Sequence, residues 1–98
     1  MSETYRFEAA LKSIECEDME GLSDYLTTEV NLNQKDDRGW TLLTAAIVCN
    51  NTNAIYALLE KGASALIKDN LGMTPVDHAI ELRHFELVKK LRRPSKAA

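Results

Sequence analysis

The chain has 98 residues, 45% of them apolar and 28% charged, and a net charge of −3. This is the size of one domain and the composition of an ordinary globular one, so collagen-like and intrinsically disordered classes are excluded. No apolar run reaches the roughly 18 to 20 residues of a membrane span, the first residues lack a signal-type apolar segment, and a cytoplasmic setting is the expectation.

The charge is unevenly spread. Residues 1–31 hold eight acids and two bases, whereas residues 81–98 hold two acids and six bases. An acidic front and a basic rear would steer a partner or favour weak self-association. The closing cations Lys89, Lys90, Arg92 and Arg93 also suit the negative end of a last helix. Nucleic acid is excluded as a partner, because the chain is acidic overall and its basic end has no interleaved aromatics.

In chain order, residues 4–16 carry Phe7, Ala10, Leu11 and Ile14 at helical spacing. Glu17 and Asp18 break that helix, and Asp18 is a suitable N-cap for a second one burying Met19, Leu22, Tyr25 and Leu26. Residues 30–36 read as an extended connector. Thr41 then caps a helix that runs to about residue 49 and buries Leu42, Leu43, Ala45, Ala46 and Ile47. Asn50 takes the left-handed position after it. A further helix spans about 52–61 and stops at Gly62. Thr74, Pro75 and Asp77 form a capping box with proline in the first turn. The helix they open ends near residue 82. A last helix over 84–91 has Phe85, Leu87, Val88 and Leu91 as its apolar set, and residues 94–98 read as a frayed tail.

These elements repeat with a fixed period. Asp36, Gly39, Thr41, Leu43 and Ala46 are answered 33 residues later by Asp69, Gly72, Thr74, Val76 and Ala79. Stepping back by the same amount carries Ile55, Leu58 and Leu59 onto Leu22, Tyr25 and Leu26. Self-similarity at this period marks a solenoid whose units bury apolar surface against their neighbours. The run Asp36-x-x-Gly39-x-Thr41-x-Leu43-x-x-Ala46, then Leu58-Leu59-x-x-Gly62-Ala63, then Asp69-x-x-Gly72-x-Thr74-Pro75-x-x-x-Ala79, resembles the ankyrin repeat. The likeness covers about residues 17–91.

The resemblance implies an all-α solenoid of three stacked helix–turn–helix units within one domain over 1–98. The units fall at about 4–35, 36–68 and 69–93, the first degenerate and the last a C-terminal cap. It also implies projecting finger turns and a concave face built from those fingers and the first helix of each pair. Leu42 stands where the family places proline, Thr44 and Asp77 where it places a bracing histidine, and Glu17 and Arg83 where it places a helix-capping glycine.

The family binds proteins and rarely catalyses. The expected function is therefore that of an adaptor, inhibitor or immunity-type binder, probing one dedicated protein partner with the concave face. The alternative is a subunit that assembles as a homodimer or head-to-tail stack through its oppositely charged ends. The variable positions of such a face are Lys35, Asp37, Arg38, Trp40, Val48 and Cys49, then Lys68, Asn70, Leu71, Met73, Glu81 and Leu82, with Glu15, Cys16 and Phe7 in the first unit. Trp40 and Met73 share one finger position and Arg38 and Leu71 another. Trp40 is expected either to anchor a partner or to fold down onto the neighbouring turn. Phe7, with no finger beneath it, is expected to pack the first helix.

Catalysis is not expected. Ser13, Ser23 and Ser64 lack a nucleophile-elbow context, and there is neither a phosphate-cradling glycine loop nor a paired-carboxylate cleft. No cofactor is called for, and no Cys-x-x-Cys or His-x3-His spacing provides a metal site. His78 is expected as a buried, hydrogen-bonded imidazole, and His84 as a loop brace. Cys16 and Cys49, 33 residues apart, are expected to lie near each other, unbonded and half-buried, with exposed surface contacts the alternative.

Overall fold

A computed structural model describes residues 3–27 and 30–92, so the expected tail lies outside the described residues. Six helices follow in order: α1 (Glu3–Glu15), α2 (Met19–Leu26), α3 (Leu42–Val48), α4 (Thr52–Glu60), α5 (Pro75–Glu81) and α6 (Phe85–Arg92). No strand occurs among the described residues. Each odd-numbered helix packs on its successor, while α1, α3 and α5 stack into one row and α2 and α4 pack beside it. This is the expected all-α solenoid of helix pairs.

Local chemistry sets the boundaries. Asp18 accepts the Gly21 amide at 3.1 Å and caps α2. Thr41 caps α3 through the Thr44 amide. Thr74 and Asp77 close a reciprocal capping box on α5, with Pro75 in its first turn. The first helix of every pair stops at a left-handed residue, and in each case that residue is not glycine: Glu17 (φ 61°), Asn50 (φ 58°) and Arg83 (φ 62°). Behind each of them the next amide reaches five residues back, as in Asn51 N–H to the Ala46 carbonyl at 2.9 Å, so the carbonyls of the helix end are satisfied.

The apolar stripe buries Phe7, Ala10, Leu11 and Ile14 of α1, Leu22 and Leu26 of α2, Leu42, Leu43 and Ala45–Ile47 of α3, and Ala54, Ile55 and Leu58 of α4. Ala79, Leu87 and Val88 extend it into the last pair. Phe7 packs the first helix, as expected.

Two expectations require correction. Phe85 is not part of this stripe: as the first residue of α6 it matches the exposed Thr52 of α4, and it is 58% exposed. Cys16 and Cys49 are unbonded, but both are exposed rather than half-buried. Each stands directly before the left-handed reversal at Glu17 or Asn50, where the chain leaves the buried stripe.

Asn51 joins neighbouring pairs in a way the sequence did not suggest. Its Oδ1 accepts the Ala54 amide and caps α4, while its Nδ2 donates 3.1 Å to the Ile14 carbonyl at the end of α1. One buried amide thus closes a helix start and ties it to the preceding pair.

Candidate functional site

The two fingers are built alike from an aspartate. Asp36 Oδ1 accepts the amides of Arg38 (2.8 Å) and Trp40 (2.9 Å). Thirty-three residues on, Asp69 Oδ1 accepts the amides of Leu71 and Met73, each at 2.9 Å. Backbone bonds close both turns: the Asp36 amide donates to the Trp40 carbonyl and the Gly39 amide to the Asp36 carbonyl, and the Asp69–Met73 turn repeats the pair. A carboxylate that takes two amides of its own turn fixes the finger before any partner arrives.

The second carboxylate oxygen is used differently in each finger. Asp36 Oδ2 takes the Arg38 guanidinium at 2.6 and 2.9 Å. Asp69 Oδ2 takes His78 Nε2 at 2.8 Å. An ionised carboxylate only accepts, so Nε2 carries the proton. The His78 and peptide hydrogen bonds hold the Asp69 carboxyl below its usual range, at about 2. His78 is hydrogen-bonded as expected, but half-buried rather than buried, and it braces the second finger from α5. Its counterpart in α3 is Ala45, which leaves Arg38 as the brace of the first finger.

Trp40 sits at the junction. The Arg38 guanidinium lies 3.7 Å over its ring, and His78 meets it edge-on at 5.8 Å with an interplanar angle of 73°. The indole is half-buried against the core, as Met73 is half-buried in the next finger.

Bonds between positions 32 or 33 apart fasten the fingers edge to edge. Lys35 Nζ donates to the Lys68 carbonyl (2.9 Å) and Asn70 Nδ2 to the Asp37 carbonyl (2.7 Å). The Asn70 amide donates to the Arg38 carbonyl at 3.0 Å. Equal phases of the pattern therefore become neighbours in space.

Among the candidate residues, Lys35, Asp37, Arg38, Trp40, Lys68 and Asn70 meet in this joint. Lys35 and Asn70 spend polar groups inside it. Asp37, Arg38, Lys68, Asn70, Leu71 and Glu81 are exposed, and Leu71 is the extreme at 84%. Val48 and Met73 are half-buried, whereas Leu82, Glu15, Cys16 and Cys49 are exposed. Burial and the nearby Glu15 carboxylate push the Cys49 thiol up. The sequence reading missed the brace of His78 on Asp69. The signal was present in their nine-residue separation across one turn, but only the fold brings the pair together.

Among the described residues no group of three or more His, Cys, Asp or Glu side chains is placed to hold a metal. No helix there is long and apolar enough to cross a membrane. A groove of about 290 Å3 opens between the starts of α4 and α6, lined by Ile55, Tyr56, His84 and Phe85 among others.

The chain is similar over 69 residues to the putative ankyrin repeat protein YahD of Escherichia coli (strain K12), at 42% identity covering 65% of this chain and 34% of that protein. It is 30% identical over 79 residues to an L-asparaginase of Dirofilaria immitis, covering 81% of this chain but 13% of that protein. It is 40% identical over 62 residues to ankyrin repeat protein 14 of vaccinia virus (strain Western Reserve), covering 62% of this chain and 26% of that protein. The chain thus spans about a third or less of the length of these curated relatives. The family profile described as ankyrin repeats (3 copies) matches residues 9–97. With six helices in stacked pairs and two fingers bonded in register, the chain belongs to the ankyrin-repeat family, whose members generally mediate protein–protein interaction rather than catalysis.

Proposed function

We propose that the chain is a stoichiometric binder, an adaptor or inhibitor, that engages one dedicated protein partner along its finger row and inner helices. The supporting observation is the rigidity of that row. Each finger is closed on its own aspartate, and the two fingers are bonded to each other at positions 33 apart. A surface already held in place loses little conformational entropy on docking, so a few anchors suffice.

The contact set in this reading is Lys35, Asp37, Arg38, Trp40, Val48, Lys68, Asn70, Leu71, Met73 and Glu81. Leu71 supplies apolar surface, and the stacked Arg38–Trp40 pair supplies a broad anchor of the type that dominates interfaces. A cytoplasmic setting suits two exposed free thiols, which persist in a reducing compartment.

The test is a pull-down from the native host with wild type, Trp40→Ala and Leu71→Asp, with thermal stability measured alongside. Because Trp40 also packs on the core, its loss should lower stability as well as capture. Leu71→Asp should abolish capture while leaving the melting point nearly unchanged. Capture that survives Leu71→Asp and Trp40→Ala would reject the finger row as the binding face.

A further inference from the structure

The two seams between helix pairs are closed differently. At the first, Asn51 reaches across from the start of α4: its Nδ2 donates to the Ile14 carbonyl, which also accepts the Glu17 amide. At the second, the Ile47 carbonyl likewise accepts the Asn50 amide, but His84 stands in the place of Asn51. The half-buried His84 ring makes no hydrogen bond among the described residues. Thr52, exposed, stands where Met19 packs against the core. The second seam thus lacks both the tie and the filler of the first, and there the groove of about 290 Å3 opens, its walls supplied by the second and third pairs.

The lining combines an apolar floor with an unbalanced positive charge. Ile55 and Leu87 are buried, while the rings of Tyr56 and Phe85 are 40% and 58% exposed. Arg83 is exposed and has no ion pair among the described residues, and the Lys90 ammonium lies 5.6 Å over the Tyr56 ring. Glu86, the one acid of the lining, is 3.8 Å from Lys89. Where Asn51 caps α4 through the Ala54 amide, no described side chain accepts the amides of Phe85, Glu86 or Leu87 at the start of α6. Free amides at a helix start and an unpaired guanidinium both favour an anion.

We infer that this groove binds a small organic carboxylate with an aromatic or branched apolar body. The body rests on Ile55 and Leu87 between the two rings, and the carboxylate meets Arg83, His84 and the start of α6. The volume lies at the lower limit of ligand pockets, roughly 300–1,000 Å3. At the roughly 30 Å3 that a water takes in the liquid, it holds about ten non-hydrogen atoms. A ligand of that size reaches a dissociation constant of about 1 mM or below. None of the lining residues belongs to the finger-row contact set, so the inference does not rest on the partner-binding reading.

The test is a titration of the isotope-labelled full chain with 3-phenylpropionate, followed by amide NMR shifts, with neutral 3-phenylpropanol as the matched control. Saturable shifts should centre on residues 52–56 and 83–87, and the alcohol should bind at least fivefold more weakly. Arg83→Gln, on the surface, should weaken the acid severalfold with the melting temperature unchanged. His84→Asn restores the side chain that ties the first seam. It should weaken binding at least fivefold while the melting temperature holds or rises, a combination that simple damage to the fold does not produce. Leu71→Asp on the finger row should leave the titration as it is. Absence of saturable shifts, shifts centred elsewhere, equal affinity for the alcohol, or full binding by folded Arg83→Gln and His84→Asn variants would each overturn the inference.

Discussion

Gly39 and Gly72 hold the same place in consecutive fingers, and both are left-handed, with φ of 83° and 80°. Replacing either with alanine therefore carries the same backbone cost, about 1–2 kcal/mol for an L-residue in that region. The gain from a less flexible unfolded chain, about 0.4–1 kcal/mol, is also shared. The surroundings differ. A Cβ on Gly39 would meet the Asn70 backbone nitrogen and Asn70 Oδ1, both at 2.7 Å, and Asp69 Cα at 3.0 Å, whereas a Cβ on Gly72 has nothing within 4 Å. Asn70 Oδ1 can swing away, but the backbone nitrogen cannot move without loosening its bond to the Arg38 carbonyl. The Asn70 side-chain bond to the Asp37 carbonyl goes with it. Two lost bonds at about 0.5–1.5 kcal/mol each put Gly39→Ala roughly 1–3 kcal/mol below Gly72→Ala. In a domain of this size the gap is about 4–8 °C of melting temperature per kcal/mol. Urea and thermal unfolding of the two variants measure it. Equal losses, or a larger loss at Gly72, would refute the claim that the finger-to-finger joint is a close backbone contact.

Three further outcomes are expected. Asn51→Ala removes a helix cap and a bridge to α1 together and should cost about 2–3 kcal/mol in urea unfolding, whereas the exposed cap Asp18→Ala should cost about 1 kcal/mol. The Asp69 carboxyl, lowered from 3.8 to about 2, contributes stability that is fully present above pH 4 and is lost as pH falls toward 2; Asp69→Asn should be less stable at neutral pH and show a shallower acid decline in thermal melts. Cys49, whose thiol is pushed up by burial and then by Glu15, should alkylate more slowly at neutral pH than an unhindered small thiol, and Glu15→Gln should accelerate it.

The helices were legible because their signals are local. Asp18, Thr41 and the Thr74–Asp77 box are capping residues within three positions of the amides they bind, and the 33-residue period supplied the stacking. The left-handed positions followed from the same register, since Asn50 names itself and Glu17 and Arg83 fall in step with it. What stayed hidden depends on partners far apart in the chain. Asn51 to Ile14, Lys35 to Lys68 and Asn70 to Asp37 span 37, 33 and 33 residues. Nothing in their composition distinguishes a polar group turned inward from one left in solvent. For the same reason Trp40 could be placed at the finger but not under Arg38, and Phe85 was mistaken for core because an apolar residue at a helix start carries no sign of which side it takes.

Asn51 closes the start of α4 through Oδ1 and at the same time holds the Ile14 carbonyl of α1 through Nδ2. Fraying of the amino-terminal helix back to Ile14 therefore removes one of the two bonds that fix the side chain capping the fourth helix. Amide exchange at Ala54 should consequently track that at the end of α1, and cleavage by a protease near the amino terminus should loosen the middle of the molecule instead of merely trimming its edge.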